Sequence, residues 1–339
     1  MERRKFLSAL GASAGMLILI LDGKTALLGA AEGIELCIRT LIPSLFPFFV
    51  LSGILTDSLL GQDIRLLRPL GKLCRIPIGS EFLLAIGMLG GYPVGAQNIA
   101  QAHRSGSLSK EDAQRILAFC NNAGPAFLFG IIGPAFGHAR VPWLLWGVHI
   151  LSAVAVGALL PAGQTQPCKS CKQKTLSLSQ YLERALRVMA VVCGWVVWLR
   201  MTLTFLDRWI LWAFPKTVQI FLAGLLELSN GCIQLNGIES EGLRFLIASI
   251  LLACGGLCVT FQTVSVTGGL SKHLYFRGKL LQTAFSSLLA MLVQVFFPAE
   301  DRMEFPPLVF LLLTALCILL STSLHRSKKS SSIPVPVGV

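Results

Sequence analysis

Two short polar clusters lie inside stretches that are otherwise apolar, and they pose the chemical question. The first is Asn121-Asn122-Ala123-Gly124-Pro125. Pro125 removes one helical hydrogen bond and clashes with the carbonyl four residues back, that of Asn121, so a helix must break here. The two carboxamides then either satisfy the freed backbone or bind the edge of a polar ligand. The second cluster is Glu227 with Ser229 and Asn230. A carboxylate at membrane depth costs at least about 2.5 kcal/mol on insertion scales, so it needs a partner or a job. The jobs are accepting hydrogen bonds from a ligand hydroxyl and holding a coupling proton or sodium ion. The rival is a structural ion pair with Arg200, which also lies in an apolar run.

Two further clusters have the same character. Gly90 and Gly91 permit close backbone approach, Pro93 ends one arm, and Tyr92 between them either stacks on a flat ring or simply packs. Gln97 and Asn98 follow at a distance suited to hydrogen bonding the edge of that ring. Cys254-Gly-Gly-Leu-Cys-Val-Thr-Phe-Gln-Thr263 is a further apolar stretch that carries paired glycines and ends on Gln262 and Thr263, two side chains able to hydrogen-bond a polar ligand. The substrate-binding set expected from sequence is therefore Gly91, Tyr92, Gln97, Asn98, Asn121, Asn122, Pro125, Glu227, Ser229, Asn230, Gln262 and Thr263.

Other chemistries lack their residues. The order of Ser, His and Asp fits no triad, and neither His-Glu-x-x-His nor a glycine-rich phosphate loop occurs, so the chain is not read as an enzyme and no cofactor is expected. Of ten cysteines only Cys168-Lys-Ser-Cys171 has ligand spacing, and a half-site without a second pair is not read as a metal centre. Both thiols are expected to be reduced in a cytoplasmic loop. His149 has no Asp, Glu or second His near it in sequence and reads as a packed, hydrogen-bonded residue.

The elements that must position these residues follow from composition. Of 339 residues 54% are hydrophobic and only 14% charged; the mean hydropathy is +0.69. Soluble domains are about one quarter charged. The net charge of +12 is spread between long apolar runs, which points to a bilayer rather than to nucleic acid. About 20 apolar residues cross a bilayer core as a helix. On that measure candidate segments lie near 6–28, 34–56, 81–103, 113–136, 142–161, 188–212, 217–237, 243–267, 280–298 and 305–324. Arg3-Arg4 followed by Phe6-Leu7 looks like a twin-arginine signal, but no small-residue cleavage site follows before Asp22, and an uncleaved first helix is the better reading.

Segments 81–103 and 217–237 each break midway at polar residues and are either ordinary spans or re-entrant hairpins. Eight crossings plus two hairpins place far more Lys and Arg in the cytoplasm than ten crossings do, and the first arrangement is preferred. A unit also recurs roughly 140 residues on: a helix to Asp57, Gly87–Gly95, Phe119–Pro125 and a helix to Pro161, then a helix to Asp207, Gly224–Gly231, Ala253–Cys258 and a helix to Pro298. Three crossings per unit make the copies inverted, a known transporter design. The expected organisation is a cytoplasmic anchor and first helix (1–33), a first repeat (34–162), a basic cytoplasmic loop (163–187), a second repeat (188–299), a last helix (300–324) and a basic cytoplasmic tail (325–339).

Gly90-Gly-Tyr-Pro-Val-Gly-Ala96, Ser105-Gly-Ser-Leu-Ser-Lys-Glu-Asp112 and Phe119-Cys-Asn-Asn-Ala-Gly-Pro-Ala-Phe127 carry a family resemblance. They resemble the nucleoside-recognition Gate domain, in the branch of YlbJ-type sporulation integral membrane proteins, over roughly residues 35–297. Related segments occur in concentrative nucleoside transporters and in the membrane part of ferrous-iron transporters. The resemblance implies two hairpins, two unwound helices and a path for a small molecule. In nucleoside transporters of related build a carboxylate in the second hairpin contacts the sugar, and Glu227 matches it by position. The second unwound helix lacks the asparagine pair of the first, which makes the site asymmetric. The expectation is an all-α, multi-pass protein of the bacterial cell membrane with both termini cytoplasmic. It would move or sense a small polar, nucleoside-like molecule during sporulation, with the lipid bilayer, a coupling ion and sporulation membrane proteins as partners. The alternative is a membrane scaffold for spore envelope or cortex assembly that keeps the fold without transport.

Overall fold

The computed structural model describes residues 2–162, 167–168 and 176–296. The expected last helix at 305–324, the basic tail, Cys171 and most of the basic loop lie outside the described residues. All regular structure among the described residues is helical. Five helices are long and apolar enough to cross a membrane: Gly23–Leu59, Arg140–Leu159, Leu178–Trp209, Glu241–Val266 and His273–Phe296. Their outer faces carry exposed side chains such as Leu27, Ile38, Leu51, Leu151, Trp198 and Leu280, as a lipid-facing surface does. The chain is an all-α membrane protein.

Helix α1 (Glu2–Leu21) stops at Asp22, whose carboxylate accepts from the Thr25 amide at 3.4 Å and caps α2 (Gly23–Leu36). A π-turn at Cys37–Leu41 then leads into α3 (Ile42–Leu59), and the three pieces form one rod of 37 residues. The sequence reading broke this region near 29–33 instead, between spans at 6–28 and 34–56. Two things shift the break. Asp22 is a good cap, and Glu32, which falls between those two spans, is paired within the rod by Arg200 of the second half at 2.5 Å.

After a polar link containing α4 (Arg68–Leu73), the chain forms α5 (Phe82–Leu89) and α6 (Val94–Arg104). A Cβ built on Gly95 would lie 3.0 Å from the Gly87 Cα, eight residues back, so the two arms fold onto each other. The same Cβ would stand 2.0 Å from the Cys120 carbonyl oxygen. Glycine at this position is what lets the next segment cross the hairpin. That segment is α7 (Lys110–Leu117), a non-helical stretch through Gly124, and α8 (Pro125–Phe127) with its irregular continuation to Ala135. Helix α9 (Arg140–Leu159) follows.

The second half begins with α10 (Leu178–Trp209), started by a capping box of Ser177 and Gln180. Helices α11 (Lys216–Leu226) and α12 (Leu228–Ile233) fold back on each other: a Cβ on Gly231 would lie 2.3 Å from the Gly224 Cα. Helices α13 (Glu241–Cys254) and α14 (Gly256–Val266) are separated by Gly255 in the left-handed region, φ 75°. Helix α15 (His273–Phe296) closes the described chain. One apolar core joins α3, α5, α6, α7 and α10. A second joins α9, α12 and α13.

Candidate functional site

The tips of the two folded-back pairs meet. Gly90, Gly91 and Tyr92 from the first and Glu227, Leu228 and Ser229 from the second line one cavity, with Ala123 and Gly124 of the interrupted stretch and Gln262 of α14. Of the residues expected from sequence, Gly91, Tyr92, Glu227, Ser229 and Gln262 are therefore brought together. The cavity holds about 50 Å³, room for a few waters.

Glu227 has extended backbone between α11 and α12, and its carboxylate caps α12. Oε1 accepts from the Ser229 amide at 3.2 Å; Oε2 accepts from the Asn230 amide at 2.8 Å and from Asn230 Nδ2 at 2.6 Å. It is buried, and none of the ion pairs among the described residues involves it. The pairing with Arg200 that the sequence left open is not formed: Arg200 Nη2 and Nε donate to Glu32 Oε2 at 2.5 and 2.9 Å. Asn230 thus serves Glu227. Gln262 touches Cys258 Sγ with its amide at 3.2 Å.

The remaining expected residues stand elsewhere. Asn121 Nδ2 donates to Thr263 Oγ1 at 2.9 Å, and its Oδ1 accepts from the Ala96 amide at 3.3 Å. Asn122 Nδ2 donates to the Phe119 carbonyl at 2.7 Å. Both carboxamides are spent on holding the interrupted stretch, behind the cavity rather than in it. Pro125 opens α8. Asn98 Oδ1 accepts from Thr56 Oγ1 at 2.8 Å and ties the hairpin to α3. Gln97 lines a different, polar cavity of about 230 Å³ with Gln101, Arg104, Ser105 and Arg184. Burial, and then the neighbouring Arg184, lower the Arg104 pKa from its usual value.

Sequence reasoning missed the group at the centre. Lys279 of α15 is buried, and its Nζ donates to the Asn121 carbonyl at 2.7 Å, to Gln282 Oε1 at 2.9 Å and to Tyr92 Oη at 3.0 Å. In a continuous helix the Asn121 carbonyl would accept from the amide of residue 125, which is proline. Lys279 replaces that donor. Gln282 Nε2 donates to Asn122 Oδ1 at 2.8 Å, and His149 Nε2 accepts from the Ala123 amide at 3.0 Å. Tyr92 Oη donates to the Leu252 carbonyl at 2.8 Å, which fixes the ring against α13. The available signal was a lysine and a glutamine three apart at the start of an apolar run. Placing that span at 280–298 made Lys279 look like a flanking charge.

Among the described residues no group of three or more His, Cys, Asp or Glu side chains is placed to hold a metal ion. Cys168 is buried, its thiol 3.2 Å from the Ser107 carbonyl, and Cys171 lies outside the described residues.

A helical integral membrane protein with two folded-back pairs meeting at a polar centre is the class this arrangement defines. Over 128 residues the chain is 34% identical to the sporulation integral membrane protein YlbJ of Bacillus subtilis (strain 168). That stretch is 37% of this chain and 31% of the relative, so the chain matches less than a third of the relative's length. No protein-family model matches the chain, and no solved structure matches it.

Proposed function

We propose that this is a Gate-like sporulation membrane protein that moves or senses a small polar, nucleoside-like molecule at the cavity between the two hairpin tips. The carrying observation is that one cavity is lined by both tips and both interrupted segments, with the Glu227 carboxylate and the Tyr92 ring in its wall. The order long helix, folded-back pair, interrupted pair, long helix occurs as α3, α5–α6, α7–α8, α9 and again as α10, α11–α12, α13–α14, α15. That order supports inverted units over 34–162 and 188–299, with the pairs re-entrant, eight crossings in all and both termini cytoplasmic. The likeness to YlbJ supports the sporulation setting. Sites for small molecules are usually about 300–1,000 Å³, so a nucleoside enters only when the tips separate, as rocking of one unit against the other would allow.

The test is thermal unfolding of the purified protein with a panel of purine and pyrimidine nucleosides at millimolar concentration. Stabilisation by one class that vanishes in Glu227→Gln supports the reading; no response to any of them counts against it. A non-transporting scaffold is the second reading. The small cavity and a Glu227 carboxylate already engaged by Ser229 and Asn230 favour it. Crosslinks from the 163–187 loop to a sporulation membrane protein, together with nucleoside indifference, would move it ahead.

A further inference from the structure

Lys279 is the only buried lysine among the described residues; the Cys120 and Cys254 thiols and the His149 ring are among its ionisable neighbours, and the polar groups around it come from several elements. From α13 comes the Leu252 carbonyl, bound to Tyr92 Oη; from α9, His149, whose Nε2 is taken by the Ala123 amide; from α14, Thr263, bonded to Asn121. The interrupted stretch supplies the Asn121 carbonyl, α15 itself Gln282, and the first hairpin Tyr92, whose ring centroid lies 4.8 Å from Nζ. No carboxylate pairs with it among the described residues, although the six ion pairs there include one for Arg200 at a similar kind of position. A freed backbone carbonyl, a carboxamide oxygen, a hydroxyl and an aromatic face are the groups that hold a dehydrated monovalent cation. An ammonium also has three donors, and all three are used.

We propose that Tyr92 Oη, the Asn121 carbonyl and Gln282 Oε1 form a monovalent-cation site that the chain fills with the tethered ammonium of Lys279. The tether keeps the ammonium at the site, so the crossing of the interrupted stretch needs no alkali-metal ion at this point. It also explains how a carbonyl orphaned by Pro125 is tolerated at depth. Lys279 also lines an apolar cavity of about 610 Å³, with Leu225, Cys254, Gly256, Tyr275 and Thr283, so removing the stem leaves room for the alkyl chain of an organic ammonium beside the site. The site stands on its own geometry: failure of the nucleoside test leaves it untouched, and its own failure leaves the cavity between the tips as described.

The experiment is thermal unfolding of the full-length protein in detergent, at fixed ionic strength, with potassium, ammonium, ethylammonium or choline chloride. Lys279→Ala should unfold several degrees below the wild type. It should recover at least half of that loss in ammonium or ethylammonium and none in choline, which is too large. Wild type and Lys279→Met should respond to none of the four salts. A folded Lys279→Ala that ignores all four cations would overturn the proposal, and so would Lys279→Met matching the wild type. Should Lys279→Ala not fold, ¹³Cε-lysine NMR of the wild type decides: the Lys279 resonance, assigned by its loss in Lys279→Arg, must report a charged ammonium at pH 6. A neutral amine there overturns the proposal as well.

Discussion

Arg200 and Glu32 show what a single pair does in this chain. Both sit on long apolar helices, α10 and α2, and each would be costly alone at membrane depth. Their contact at 2.5 Å converts two liabilities into one tie between elements distant in sequence. Removing one partner strands the other charge in an apolar surface, whereas replacing both with apolar side chains is milder. Arg200→Leu should therefore be more destabilised than Arg200→Leu/Glu32→Leu when unfolding is followed in detergent; equal losses would show that the pair carries no coupling. At this scale the sequence was legible in residue type but not in partnership. Glu227, Arg200 and the asparagine pair all stood out as polar groups in apolar runs. Which of them meet depends on contacts across about 160 residues, such as Lys279 with Asn121, and one chain does not print those.

The interruptions behave differently, because the residues that cause them are local. Gly90 to Pro93, Asn121 to Pro125, Glu227 and Gly255 mark breaks in the sequence, and the helices break at each. Asp22 was the exception: the apolar runs on both sides of Asp22-Gly-Lys-Thr25 read as one span, 6–28, yet the helix restarts there. Close packing of the breaks depends on missing side chains. Gly95→Ala would push a methyl to 2.0 Å from the Cys120 carbonyl, with backbone rather than a flexible side chain in the way. Overpacking typically costs about 1–3 kcal/mol, and this variant should reach or exceed the upper figure in thermal or denaturant unfolding. Gly147→Ala in α9, where the methyl meets nothing within 4 Å, should be neutral or slightly stabilising. Comparable losses for the two would mean the hairpin does not pack against the interrupted stretch.

For the molecule as a whole, the number of crossings is the property on which the proposed function turns. Lys110, at the start of α7, and Lys216, at the start of α11, are both exposed. Re-entrant hairpins put Lys110 in the cytoplasm and Lys216 outside; ten crossings reverse both. With a membrane-impermeant thiol reagent, Lys216→Cys should gain label in intact cells and Lys110→Cys only after permeabilisation. The opposite pattern would end the inverted-unit reading. Cys168 is a poor reporter for this purpose, since its thiol is buried against Ser107.

The tie between Glu32 and Arg200 also has a schedule. The two residues are 168 positions apart, and ribosomes add about 5–20 residues per second, so the first helix rod reaches the membrane roughly ten to thirty seconds before its counter-ion exists. During that interval Glu32 has no Arg200 to pair with. The tie that joins the rod to α10 can form only once α10 has been made. Biogenesis of this protein is thus ordered by charge, with its N-terminal third waiting on its middle.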